Sequence, residues 1–222
     1  MNVKAMDTKN MKATLGAKWG YPTGHRRGAF LSKPLRSLGL CLVILLVVGP
    51  SRRVRAEDVS VPLPMQVKLL STVADYDKAF AERAKGKAKI IILTSKNPDS
   101  AKAASQIQSA LGRVPSIAGM PHEETIVRFQ SGAALATQCK ANGISIVFLM
   151  PGFQSELGDI KASLTGINIL SVASIGSYVQ QGIVLGFDVI SGKPKLLVNL
   201  PQARSQKVNF KAELLKMVKL VE

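Results

Sequence analysis

Three short, unbroken apolar runs, each separated from the next by helix-patterned sequence, restrict what this chain can fold into. They are Ala88 to Thr94, which contains Ile90-Ile91-Ile92-Leu93, then Ile144 to Met150, then Ile167 to Val172. Runs of this length without polar alternation are the pattern of strands covered on both faces. Asn97-Pro98-Asp99-Ser100 reads as a turn and helix cap, opening a helix to Leu111 with Ala103, Ile107, Ala110 and Leu111 turned inward. Glu124 to Phe129 alternates like a strand nearer an edge. Gly132 to Asn142, closed by Gly143, and Glu156 to Leu164 are helical. Ahead of the first run, Leu69, Val73, Tyr76 and Phe80 mark one face of a helix that reaches about Arg83 and stops at Gly86. Strands and helices in alternation mean parallel pairing through right-handed crossovers.

The C-terminal end departs from that rhythm. Ile183 to Ile190 and Lys195 to Asn199 flank the turn Ser191-Gly192-Lys193-Pro194, and so short a connection allows only antiparallel pairing. Pro201 suits the first turn of a short helix, and a last helix is expected to bury Leu214, Leu215, Val218 and Val221. The expected architecture is a three-layer α/β/α sandwich with a mostly parallel sheet and a C-terminal antiparallel hairpin. An open hairpin edge is a template for pairing between subunits, which makes a homodimer a candidate assembly.

Residues 1–56 have a different character. The apolar run Leu38 to Val48 lies between basic residues, is closed by Gly49-Pro50, and precedes Val54-Arg55-Ala56. That is the layout of an export signal, with cleavage near Ala56. The run is too short to span a bilayer, which takes about 20 apolar residues. Arg26-Arg27 before Phe30-Leu31 resembles a twin-arginine signal with one residue too many, so either the general or the twin-arginine route would carry it. Cys41 reads as part of the apolar run. The expected organisation is a leader over 1–56, a linker over 57–64 and an α/β domain over 65–222, delivered to the periplasm. An uncleaved anchor in the inner membrane, facing the periplasm, is the competing expectation.

The leader also accounts for most of the charge. It holds a net +10 of the total +16, leaving +6 for the body. The overall basicity is therefore no nucleic-acid signature, and no nucleic-acid partner is expected. Lys193, Lys195, Arg204, Lys207, Lys211, Lys216 and Lys219 gather near the C-terminus. They suit either a solvated surface or an electropositive face for an anionic partner. The body keeps one cysteine, Cys139, on a helix, so no intrachain disulfide can form and the thiol is expected to be a small buried apolar group.

No catalytic constellation is readable, so no enzyme activity, cofactor or metal is expected. His122 precedes Glu123 and Glu124, but neighbours on a strand point to opposite faces; a surface loop is expected there. Asp75 and Asp77 flank Tyr76 and do not share a helical face. Gly186 through Gly192-Lys193 approximates a phosphate loop, with five intervening residues instead of four and Pro194 where a hydroxyl is needed. The better candidate is positional. Parallel sheets bind ligands at the carboxyl ends of their strands. Those ends supply Ser95, Lys96 and Asn97, then Pro151, Gly152 and Phe153, then Ser174, Ser177 and Tyr178, with helix N-termini near Ser100 and Ser155 to favour an anionic group. The candidate ligand-binding residues are Ser95, Asn97, Ser100, Phe153, Ser174, Ser177 and Tyr178.

Several C-terminal segments carry a likeness to a known family. They are Gly166-Ile-Asn-Ile-Leu-Ser-Val-Ala173, Gly182-Ile-Val-Leu-Gly-Phe187, Gly192-Lys-Pro-Lys-Leu-Leu-Val-Asn-Leu200, Gln202-Ala-Arg204 and Phe210-Lys-Ala-Glu-Leu-Leu215. The order of an apolar strand with a small-residue turn, a Gly-led strand, Gly-Lys, Val-Asn, Ala-Arg and a Leu-Leu helix resembles the YfiR-like family of exported bacterial regulators. The resemblance covers about the last quarter of the chain, and more loosely Gln66 to Leu93. It implies a non-enzymatic periplasmic α/β module that binds the external domain of a membrane signalling protein, of the diguanylate cyclase or sensor kinase type. Cysteine pairs make the best-known branch redox-responsive; Cys139 alone does not reproduce them. The alternative role is a periplasmic small-ligand-binding protein that uses the strand-end crevice.

Overall fold

The computed structural model describes residues 60–221. The expected leader with Leu38 to Val48 and Cys41, its cleavage site near Ala56, and the linker up to residue 59 lie outside the described residues.

Helix α1 (Leu63–Asp75) begins inside the expected linker, because Pro62 and Pro64 suit a helix start and Gln66 donates through Nε2 to the Val61 carbonyl at 2.8 Å. The single helix expected to reach Arg83 is two. Asp77 interrupts it, accepting from the amide of Ala79 at 3.1 Å, and α2 (Phe80–Ala84) restarts the helical run. The buried face of α1 is Gln66, Val67, Leu70, Val73 and Ala74, with Leu69 and Tyr76 at its margin. Strand β1 (Ala88–Thr94) is buried throughout except at Lys89. Asn97 then caps α3 (Pro98–Leu111), its side chain accepting from the Asp99 amide at 2.9 Å. β2 (His122–Arg128) is half exposed along its length. α4 (Gly132–Asn142) ends at Gly143, whose φ of 61° is the left-handed cap that glycine tolerates. β3 (Ile146–Leu149), α5 (Leu157–Leu164) and β4 (Leu170–Ala173) follow, both strands fully buried.

A four-residue helix, α6 (Ser177–Gln180), occupies the expected loop after β4. The hairpin is β5 (Leu185–Ile190) and β6 (Lys193–Asn199), joined by Ser191 and Gly192 at φ 52° and 73°. Two consecutive positive φ angles are what a two-residue hairpin loop needs to match strand twist. α7 (Leu200–Ser205) starts at the Asn199 cap, which accepts from Gln202 N at 2.9 Å.

The expected last helix is cut short. α8 (Ala212–Leu215) buries Leu214, and the chain then extends into β7 (Lys219–Val221), parallel to β6. The spacing of Val218 and Val221 fits either period over so few residues, and the open edge of β6 supplies backbone partners that decide for the strand.

The sheet order is β2-β1-β3-β4-β5-β6-β7, parallel from β2 to β5, antiparallel between β5 and β6, and parallel again to β7. One face packs with α1, α3 and the α7–α8 segment around Ile90, Ile92, Phe148 and Val172; the other packs with α4, α5 and α6 around Ile91, Leu93, Val147 and Leu149. The fold is a three-layer α/β/α sandwich, as expected. The hairpin edge is not fully open, since β7 covers Leu197 to Asn199. The outer strands are β2 and β7.

Candidate functional site

β1, β3 and β4 are parallel neighbours, so their carboxyl ends lie side by side. β5 pairs with β4 only as far as Ala173↔Gly186 and then runs on to Ile190, which carries the β5–β6 hairpin beyond those ends. A cleft of roughly 710 Å³ lies here, lined by the start of α1, the loop after β4, and β5 to β7.

Two of the seven candidate residues, Ser174 and Ser177, line this cleft. Ser177 is exposed. Ser174 is only 3% exposed, and its hydroxyl has no hydrogen-bond partner among the described residues. Its carbonyl accepts from Gln66 Nε2 at 3.1 Å, which ties the loop to α1. An orphan hydroxyl in such a place costs about 1–3 kcal/mol unless something partners it.

The other five candidates hold the strand-end loops together. Ser95 Oγ donates to the Pro151 carbonyl at 3.1 Å and accepts from the Asn97 amide at 3.1 Å. Ser100, fully buried, accepts from the Ser95 amide at 2.9 Å. Asn97 is spent on capping α3. Tyr178 is buried with its hydroxyl turned back to accept from the amides of Gly152 and Phe153, each at 2.9 Å. Phe153 packs edge-on against Phe129 with ring centres 5.8 Å apart. Gly152, at φ 97°, leaves room for this arrangement; a Cβ there would stand 2.4 Å from Ser95 Oγ.

Pro151, named as a strand end, also lines the cleft, but sequence reading missed most of the other walls. Leu63 comes from the expected linker, Asp188 and Leu197 from the hairpin, and Lys219 from the expected last helix. Only their distance from the strand ends in sequence hid them. Asp188 accepts from its neighbouring Val189 amide at 2.8 Å, and neither it nor Lys219 forms an ion pair among the described residues. The cleft is thus lined by a carboxylate and an ammonium on apolar walls, a composition suited to holding a small amphipathic solute, with the unpartnered Ser174 hydroxyl buried behind its surface. No base stands within hydrogen-bond reach of the Ser174 hydroxyl among the described residues.

His122 opens β2 instead of lying in a surface loop, because the strand pairs with β1 from Ala88 onward. Its Nε2 is 2.9 Å from the Val114 carbonyl and its Nδ1 is 3.1 Å from Glu124. Among the described residues no group of three His, Cys, Asp or Glu side chains is placed to share a metal ion, and no helix is long and apolar enough to cross a membrane. Cys139 is buried in the α4–α5 layer, and burial pushes its thiol up to about 12.

The chain resembles two solved structures at the level of fold. One is the ABC domain from Streptococcus pneumoniae in complex with L-Trp, at 14% identity and a TM-score of 0.50, with 72% of this chain and 62% of that one covered. The other is a conserved domain protein from Vibrio cholerae O1 biovar El Tor, at 13% identity and a TM-score of 0.50, with 74% and 61% covered. The match spans about three fifths of each of those chains. No curated protein matches. A family model does, over residues 70–219, from α1 through to the first residue of β7. On that match the chain belongs to the YfiR/HmsC-like family.

Proposed function

We propose that this chain is a non-catalytic periplasmic regulator that binds the external domain of a membrane signalling protein, of the diguanylate cyclase or sensor kinase type. The family membership over residues 70–219 carries the reading, since the YfiR/HmsC-like family is one of periplasmic regulators. The charge distribution is consistent with it. Of the body's net +6, residues 193–222 hold +5, and none of the seven Lys and Arg there is ion-paired among the described residues. Such a surface attracts an acidic protein domain. The test is capture from detergent-solubilised membranes of the host at low salt, with identification of what is retained. A membrane protein whose external domain is joined to a cyclase or kinase domain is expected. Recovery of none would sink the reading.

The cleft favours a second role for the same domain, binding of a small periplasmic solute, and Asp188 and Lys219 on its apolar walls, unpaired among the described residues, are the observation behind it. A ligand that regulates must favour one conformational state by a difference in free energy. Thermal-shift screening against small amphipathic solutes is expected to find a stabilising compound whose effect is lost in Leu197→Trp, which fills the cleft. A hit unaffected by that substitution would place binding elsewhere.

A further inference from the structure

Of the two outer strands β2 is the longer, its outer side is unpaired among the described residues, and its outward groups are self-complementary. Pairing between β1 and β2 runs the whole length of both, from Ala88↔His122 to Thr94↔Arg128. The Ala88 amide donates to the Pro121 carbonyl and the Phe129 amide donates to Thr94, so the odd-numbered residues of this stretch face β1. By the alternation of a strand, His122, Glu124, Ile126 and Arg128 turn their N–H and C=O groups to the open side. The same four side chains share one sheet face. Ile126, the third of the four, is 37% exposed and one of few large apolar side chains the described residues leave open to solvent. Arg128 forms no ion pair among the described residues.

Two copies of one strand can pair antiparallel about a two-fold axis only in registers that set a residue opposite itself or symmetrically about it. Centring on Ile126 places Ile126 against Ile126 of a second copy, and Glu124 against Arg128 twice. The backbone groups that meet in this register are the outward ones on both sides. Centring one residue earlier would set His122 against Arg128 and leave Glu124 against Ile126, without opposite charges. β2 has seven residues and contains no proline, glycine or bulge among its pairs with β1, so its outer backbone is regular enough to accept a further strand.

We propose that β2 is a dimerisation edge, at which a second copy of this chain adds antiparallel in the register centred on Ile126, joining two seven-stranded sheets into one. The expectation of a homodimer through the hairpin edge is thereby moved to the opposite side of the sheet, where no β7 intervenes. This rests on the edge geometry and not on the regulatory reading.

Sedimentation velocity on the purified chain tests it. A dimer is expected at micromolar concentration. Glu124→Arg alone, or Arg128→Glu alone, sets like charges opposite each other twice and should weaken the dimer by about tenfold or more, from the size of cross-strand charge pairs counted at two symmetric positions. The double charge swap Glu124→Arg with Arg128→Glu restores opposite charges and should restore the dimer. Recovery by the swap separates a lost contact from a misfolded variant. A wild-type chain that stays monomeric at high concentration, single variants that dimerise unchanged, or a swap that fails to recover would each overturn the proposal.

Discussion

Asp77 and Arg83 are buried as a pair, and each also bonds to a distant stretch of chain. Their side chains are 0% and 1% exposed and meet at 2.6 Å. Asp77 also accepts from the Asn209 amide at 3.0 Å, and Arg83 Nε donates to Asn168 Oδ1 at 2.9 Å. The pair therefore joins the α1–α2 break to the segment before β4 and to the C-terminal stretch that leads into α8. Removing one partner leaves a buried charge without compensation, which costs about 3–5 kcal/mol. Asp77→Ala should lower unfolding free energy in urea by about that much, whereas Asp77→Leu combined with Arg83→Met should cost less than either single change; a larger loss in the double variant would show the pair is not the source. Cys139 gives a second expectation at this scale. Burial disfavours the thiolate and pushes its thiol from the ordinary 9.0 up to about 12 in the folded state. A raised pKa on an acid means the folded state holds its proton where the unfolded state has lost it, so stability falls as pH rises from about 9 towards 12. The slope is up to about 1.4 kcal/mol per pH unit, and Cys139→Ala should remove that part of the pH dependence in unfolding curves measured across this range.

The elements show why part of the fold is legible in the residues and part is not. β1 reads at its true bounds because a strand covered on both faces leaves an unbroken apolar run, and α3 and α4 because Asn97 and Gly143 mark their ends in side-chain and backbone chemistry. β7 does not read, since three residues beside Leu214 and Leu215 carry no period of their own and take their form from the edge of β6. The cleft divides in the same way. Ser174 is legible from its place after β4, but the walls come from Leu63 and Lys219, at opposite ends of the described chain. Tyr178 shows the remaining gap: position places it at a strand end, but only packing decides that its hydroxyl turns inward to Gly152 and Phe153. The hairpin can be tested as an element. Ser191 adopts φ 52° ahead of Gly192 at 73°, a turn in which Asn-Gly is the favoured pair. Ser191→Asn should raise thermal stability slightly, by about 0.5 kcal/mol, and Gly192→Ala should lower it by about 1 kcal/mol. If Gly192→Ala is neutral in thermal unfolding, the turn geometry is not what holds the hairpin above the cleft.

Charge is a property of the molecule as a whole, and here it is lopsided. Residues 57–192 of the body sum to +1, against +5 for residues 193–222. Elements remote in sequence concentrate it further, since Lys195 and Lys219 flank Leu197 on one face of β6 and β7. A field of this kind acts on encounter more than on the bound state: it raises the association rate with an acidic partner and is screened within about 8 Å at physiological salt. With an acidic partner of the proposed kind, the association rate should therefore fall steeply with added salt while dissociation changes little. Lys193→Glu with Lys216→Glu, both exposed and unpaired among the described residues, should cut that rate about tenfold at low salt and leave the melting temperature unchanged. Lys68→Glu with Lys140→Glu makes the same change in net charge outside the basic region and should have much less effect. Surface plasmon resonance across a salt series separates these outcomes. Equal effects from the two pairs would mean that net charge alone steers the partner, and a rate indifferent to salt would remove the C-terminal face from the encounter.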